Sequence, residues 1–168
     1  AVDTSLNGEA QQANSRAGGI TEFARPEDGA WADAKTFYFV TTGVDPDGNG
    51  AIGMQTSRLY QLTFNETAGV VDYSYGSISM VKDSSTLTGT DGATARKFDN
   101  MTVGEDGKLY IQEDPGNSPY IAKTWMFDPA TASGTQILES DRARFLAPEA
   151  PFSQDEESSG IIEITSVL

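Results

Sequence analysis

The chain repeats itself. A shift of 72 residues lays Arg25-Pro26-Glu27-Asp28-Gly29-Ala30-Trp31 over Lys97-Phe98-Asp99-Asn100-Met101-Thr102-Val103, and Thr36-Phe37-Tyr38-Phe39-Val40 over Lys108-Leu109-Tyr110-Ile111-Gln112. A shorter shift of 65 brings Arg58-Leu59-Tyr60-Gln61-Leu62 onto Lys123-Thr124-Trp125-Met126-Phe127. Each copy is a series of short apolar and aromatic bursts parted by Gly-rich turns, which is the pattern of strands rather than helices. Four strands are predicted in each copy, at about 27–32, 35–42, 57–64 and 69–81, then 99–104, 108–113, 121–128 and 134–139. A third copy opens at Asp155-Glu156-Glu157-Ser158-Ser159-Gly160 and runs into Ile161-Ile162-Glu163-Ile164.

A four-stranded antiparallel meander recurring along a chain predicts an all-β fold built of β-propeller blades. The first blade is expected over about 20–82, the second over 97–140, and the start of a third over 155–168. Residues 1–19 are small, polar and without periodicity, and read as a linker or mobile segment. Propellers close with about four to eight blades. The chain is therefore expected to be part of a larger propeller, completed by further blades or by another chain. A small β-sandwich that closes by itself is the alternative.

Charge narrows the function. With 25 acids against 11 bases the formal net charge is −14, which repels nucleic acid and anionic membrane surfaces. No apolar run approaches the roughly 20 residues of a membrane-spanning helix, so no membrane insertion is expected. The chain has no cysteine and no histidine, which excludes disulfides, zinc–thiolate sites and Ser-His-Asp or Cys-His catalysis within it. Abundant carboxylates fit either a solvated acidic surface or hard cations such as Ca²⁺, which prefer oxygen ligands.

The acids fall in register. Each copy opens with an acidic or acid–amide pair, Glu27-Asp28, then Asp99-Asn100, then Glu156-Glu157. The first strand of a propeller blade lines the central channel, so these residues are expected to ring one mouth of it. Carboxylates crowded there repel unless a cation or protons neutralise them, which makes Glu27, Asp99, Asn100 and Glu156 candidate metal ligands. Ordinary turn capping by Asp and Asn is the alternative reading. Arg25 stands two residues before Glu27, on the same face of an extended strand. It is placed either to grip a phosphate or to pair with a neighbouring acid. Gln112-Glu113-Asp114-Pro115-Gly116-Asn117 ends the second strand of the second copy, where the first copy has Thr41-Thr42-Gly43 without acids. That asymmetry singles out Glu113 and Asp114. Asp45-Pro46-Asp47-Gly48-Asn49-Gly50-Ala51-Ile52 resembles half of a calcium loop, but Thr56 stands where the loop needs a bidentate Glu.

Phe23 to Gly29, Lys97 to Val103, Leu109 to Asn117 and Asp155 to Ile162 together resemble the C-terminal half of the PhoX-type bacterial alkaline phosphatases. The resemblance implies a periplasmic or extracellular phosphomonoesterase on a propeller, with a calcium cluster and, in the full-length protein, iron. Carried over, Arg25 would bind the phosphate of a phosphomonoester, with Glu27 beside it at the reacting centre. Glu27, Asp99, Asn100, Glu113, Asp114 and Glu156 would be metal ligands. One departure stands out: the family's iron site uses a cysteine from the N-terminal half, and this chain has none. A non-catalytic, calcium-stabilised propeller acting as an interaction module is the rival reading, and a propeller lactonase or phytase is a third.

Overall fold

The computed structural model describes residues 5–44, 56–114, 116, 120–146, 148, 150–153 and 157–164. Its framework is two four-stranded antiparallel sheets, each a simple meander. The first comprises β1 (Pro26–Trp31), β2 (Thr36–Thr41), β3 (Arg58–Thr67) and β4 (Val70–Asp83). The second comprises β5 (Phe98–Val103), β6 (Leu109–Glu113), β7 (Lys123–Asp128) and β8 (Ser133–Glu139). The fold is all-β, and the eight strands lie where the hydrophobic bursts predict them, within two or three residues at each end.

The repeat extends to the irregularities. Pro26 pairs with Thr41 and Gly29 with Phe39, so one extra residue is accommodated between them. In the second sheet Phe98 pairs with Glu113 and Met101 with Ile111, which is the same bulge moved by 72 residues. Phe37 faces Leu62 as Leu109 faces Phe127, which fixes the shift of 65 for the third strands. The fourth strands repeat a second bulge, between Leu59 and Tyr60 in one sheet and between Thr124 and Trp125 in the other. Bulges bend a strand and re-aim its side chains, so the shared bulges turn the matching strands alike, while the first sheet adds a further irregularity between Phe64 and Asn65.

One core joins the sheets. Tyr38, Val40 and Leu59 from the first meet Phe98, Met101, Leu109, Ile111, Trp125 and Phe127 from the second, with Leu87 and Ala95 of the connecting segment sealing the cluster. Alternation along β2 and β6 selects these residues, because successive side chains point to opposite faces. Polar side chains complete the seam. The buried Ser57 hydroxyl donates to the Thr42 carbonyl at 2.6 Å and accepts the Phe98 N–H at 3.1 Å, while Asp28 Oδ2 accepts the Met101 N–H at 2.9 Å. β5 thus has part of its edge satisfied by side chains of the first sheet, which a buried backbone requires.

Two segments stand apart from the sheets. The segment read as a linker contains α1 (Gly8–Ala17). Asn7 caps it by accepting the Ala10 N–H at 2.9 Å, and Glu9 and Arg16 suit the two ends of the helix dipole. The helix buries no residue, which is why it carries no apolar periodicity to read. The predicted opening strand of a third copy is not a strand among the described residues 157–164. Among the described residues no strand pairs with it.

Candidate functional site

The pairs predicted to open the first two copies occupy the bulges. Glu27 and Asp28 lie between the Pro26–Thr41 and Gly29–Phe39 pairs, and Asp99 and Asn100 between their counterparts. Gly29 closes the first bulge tightly; a Cβ there would stand 2.7 Å from the Tyr38 carbonyl oxygen. The bulge replaces the simple strand alternation expected for Arg25 and Glu27. Arg25 is not extended at all, with φ 56°, and Lys97 at the same place in the second copy has φ 47°. Left-handed backbone at a residue with a side chain costs on the order of 1–2 kcal/mol. Both residues hold it through one hydrogen bond, from the Thr42 N–H to the Arg25 carbonyl and from the Asp114 N–H to the Lys97 carbonyl.

A cation, a carboxylate and a third polar residue therefore recur at one end of the first hairpin of each sheet: Arg25, Glu27 and Thr42, then Lys97, Asp99 and Asp114. In the first set Arg25 Nη2 stands 3.2 Å from Glu27 Oε1. Thr42 Oγ1 lies 2.9 Å from the same carboxylate oxygen and 3.1 Å from the Phe98 carbonyl oxygen, so it ties the set to the second sheet. The Arg25 side chain is 58% exposed and Glu27 is half-buried. In the second set Asn100 Nδ2 donates to Asp99 Oδ2 at 2.7 Å and also reaches the Ser158 carbonyl. Asp114 Oδ1 accepts the Gly116 N–H at 2.6 Å, and a Cβ on Gly116 would stand 3.0 Å from Lys97 Nζ.

The two sets feel each other across the seam. Burial, then the negative charges of Glu27 and Asp114, push the Asp99 carboxyl above the usual carboxylate range, with Asp28 adding to the effect and Arg25 opposing it. Four of the residues singled out in the sequence, Arg25, Glu27, Asp99 and Asp114, thus share one electrostatic neighbourhood, with Asn100 beside Asp99.

Glu113 belongs elsewhere. It is 4% exposed on the core face of β6, continuing the alternation of Leu109 and Ile111. Its Oε1 accepts the Arg96 N–H at 2.9 Å and the Trp125 indole N–H at 2.8 Å, and its Oε2 the Lys123 N–H at 3.1 Å. Burial outweighs these donors and pushes its carboxyl up to about 7. These partners give Glu113 a role inside the second sheet, apart from the open end where Glu27 and Asp99 meet. Glu156 and the Asp45–Ile52 segment lie outside the described residues.

Thr42, Asp28 and Lys97 join the neighbourhood without having been singled out as ligands. The shift of 72 residues is the signal that finds Lys97, as the partner of Arg25, and Thr42, as the partner of Asp114.

The donor set is oxygen-only, which suits a hard cation such as Ca²⁺ and offers iron neither thiolate nor imidazole. Among the described residues no group of three carboxylates converges tightly enough to hold an ion by itself. Glu27 and Asp114 raise the Asp99 carboxyl without the three forming such a group. No helix among the described residues is long and apolar enough to cross a membrane. No protein-family model, curated protein or solved structure matches the chain.

Proposed function

We propose that the two sheets are blades of a larger β-propeller, and that the end of their inner strands forms part of a calcium-dependent phosphomonoesterase site of the PhoX type, in a periplasmic or extracellular protein. The observation that carries this reading is the recurrence of cation and carboxylate in two matched bulges, set side by side by hydrogen bonds across the seam. Glu27, Asp99 and Asp114 would hold calcium jointly with ligands from elsewhere in the polypeptide. Calcium so bound would supply Lewis-acid polarisation of a phosphoryl oxygen. Arg25, exposed and engaged with Glu27 through one terminal nitrogen, would take a phosphate oxygen with the rest of its fork.

The test is hydrolysis of p-nitrophenyl phosphate by the full polypeptide with calcium and after chelation, for wild type and Arg25→Ala. Calcium-dependent turnover that falls at least about tenfold in the variant, as expected when a charge-assisted contact worth 1.5–3 kcal/mol is lost, supports the reading. A folded, calcium-loaded protein without turnover removes the phosphatase and leaves a calcium-stabilised interaction module. That second reading has its own support, because Asp28 accepts the Met101 N–H across the seam and Asn100 donates to the Ser158 carbonyl of the C-terminal segment, as structural acids and amides do.

A further inference from the structure

The two sheets match in register through their first three strands, yet their equivalent faces are not equally covered. In the second sheet Leu109, Ile111, Trp125 and Phe127 are wholly buried, because the first sheet and the connecting segment lie on them. At the same register in the first sheet stand Phe37, Phe39, Tyr60 and Leu62, and each keeps part of its surface in water. Among the described residues the aromatic rings here pack on one another and on Phe23, Trp31, Phe64 and Tyr73. Phe39 and Tyr60 stack at 5.1 Å with Phe23 edge-on to both, while Trp31 lies against Phe37, Phe64 and Tyr73. Trp31 is 52% and Tyr73 60% exposed. A contiguous apolar face of this kind marks an interaction surface.

We propose that this outer face of the first sheet is the docking surface for a further four-stranded sheet of the same repeat, carried by the same polypeptide. The inference rests on the propeller reading and names the partner and the residues it covers. Its basis is the interface already present: the face at this register in the second sheet is covered by a sheet presenting Tyr38, Val40 and Leu59. The occupant therefore presents a like row of aromatic and aliphatic residues. A second copy of this chain fits poorly. The matching face of its second sheet carries Tyr110, Gln112, Thr124 and Met126, with Thr124 buried and Gln112 Oε1 already shut away from solvent, so an amide and a hydroxyl stand where Val40 and Leu59 make the existing seam. Burying those groups against aromatic rings leaves them without partners, which is unfavourable.

Acrylamide quenching of Trp31 tests this, its signal assigned by difference from Trp31→Phe, in the 168-residue chain and in the polypeptide extended by its own preceding residues. In the longer polypeptide Trp31 should become as protected as the buried Trp125, and Phe39→Asp should restore quenching while the β-sheet circular dichroism persists. A Trp31 that stays open to quencher in the folded longer polypeptide overturns the proposal. So does protection that already appears in the 168-residue chain and rises with concentration alongside a dimer in sedimentation, which would assign the face to a second copy. Neither readout involves calcium or phosphate, so failure of the phosphatase reading would leave this result unaffected.

Discussion

Trp125 and Tyr60 occupy the same register position on the third strands of the two sheets, but only Trp125 is wholly enclosed. Beneath them the backbones agree to the level of two bulges and of the hydrogen bonds that close each first hairpin, Ala32 N–H to Thr36 and Gly104 N–H to Lys108. Backbone pattern is thus a property of the repeat, whereas burial is a property of a sheet's place in the stack. The same contrast holds for charge. Lys123, 3% exposed, is tied to Asp91 at 3.1 Å, while its counterpart Arg58 is partly exposed and loosely paired with Asp83 at 3.4 Å.

Truncating the matched aromatics should widen the contrast most. Trp125→Ala leaves a cavity in the shared core and is expected to cost about 3–5 kcal/mol in urea unfolding. Tyr60→Ala, already half in water, should cost only about 1–2 kcal/mol. Equal losses would mean that the first sheet's outer face is covered in the 168-residue chain itself.

The charged pair comes next. Burial opposes ionisation of Asp91, but the Ala93 N–H, Lys123 and Arg142 outweigh it and hold the carboxyl at about 2. Because the folded value is depressed, its stabilisation is present above the ordinary carboxylate range and is lost as pH falls toward 2. Asp91→Asn leaves the Lys123 ammonium buried without its anion and should cost about 3 kcal/mol at pH 7. Arg58→Ala in the first sheet should cost about 0.5 kcal/mol, as partly exposed pairs do. If the two substitutions cost the same in thermal unfolding, burial is not what separates the sheets.

A pH effect of intermediate size belongs to the second sheet only. Glu113 has its folded value raised to about 7, so between the ordinary glutamate range and pH 7 the folded state holds more protons than the unfolded one. Stability is then expected to fall by about 2 kcal/mol as pH rises through that window. Thr41, the counterpart in the first sheet, does not titrate. Measured in an Asp99→Asn background, which removes a second raised carboxyl, the slope should vanish on Glu113→Gln. A slope that survives would place its origin outside the core of the second sheet.

How much of this was legible in the sequence differs by feature. Strands and shifts were, because alternation and turn residues are local signals. The site neighbourhood was partly so: Arg25, Glu27, Asp99 and Asp114 stand near one another, as their positions at the openings and at the turn suggested. Glu113 shows where composition misleads. Beside Asp114 it resembles a ligand, yet the alternation Leu109, Ile111, Glu113 already places it on the core face. α1 was invisible because a helix with no buried side leaves no period, and its one signal, Asn7 followed by helix-forming residues, is weak. The exposure of the first sheet's aromatics could not be read at all, since the sequence of a strand does not say what lies on it.

The smallest predicted effect bears on the site. Thr42 and Asp114 are counterparts, one neutral and one charged, at the edge of the carboxylate neighbourhood. Thr42→Val removes the hydroxyl between Glu27 and the Phe98 carbonyl and should cost about 1 kcal/mol, the usual value of one hydrogen bond. Thr42→Asp makes the first set match the second and adds an acid beside Glu27 and Asp99. Without calcium that variant should be the less stable of the two, since like charges crowd an already raised Asp99. If the neighbourhood shares in holding a cation, added calcium should raise the melting temperature of Thr42→Asp more than that of Thr42→Val. Equal responses to calcium would mean that the matched bulges fasten sheet to sheet and nothing more.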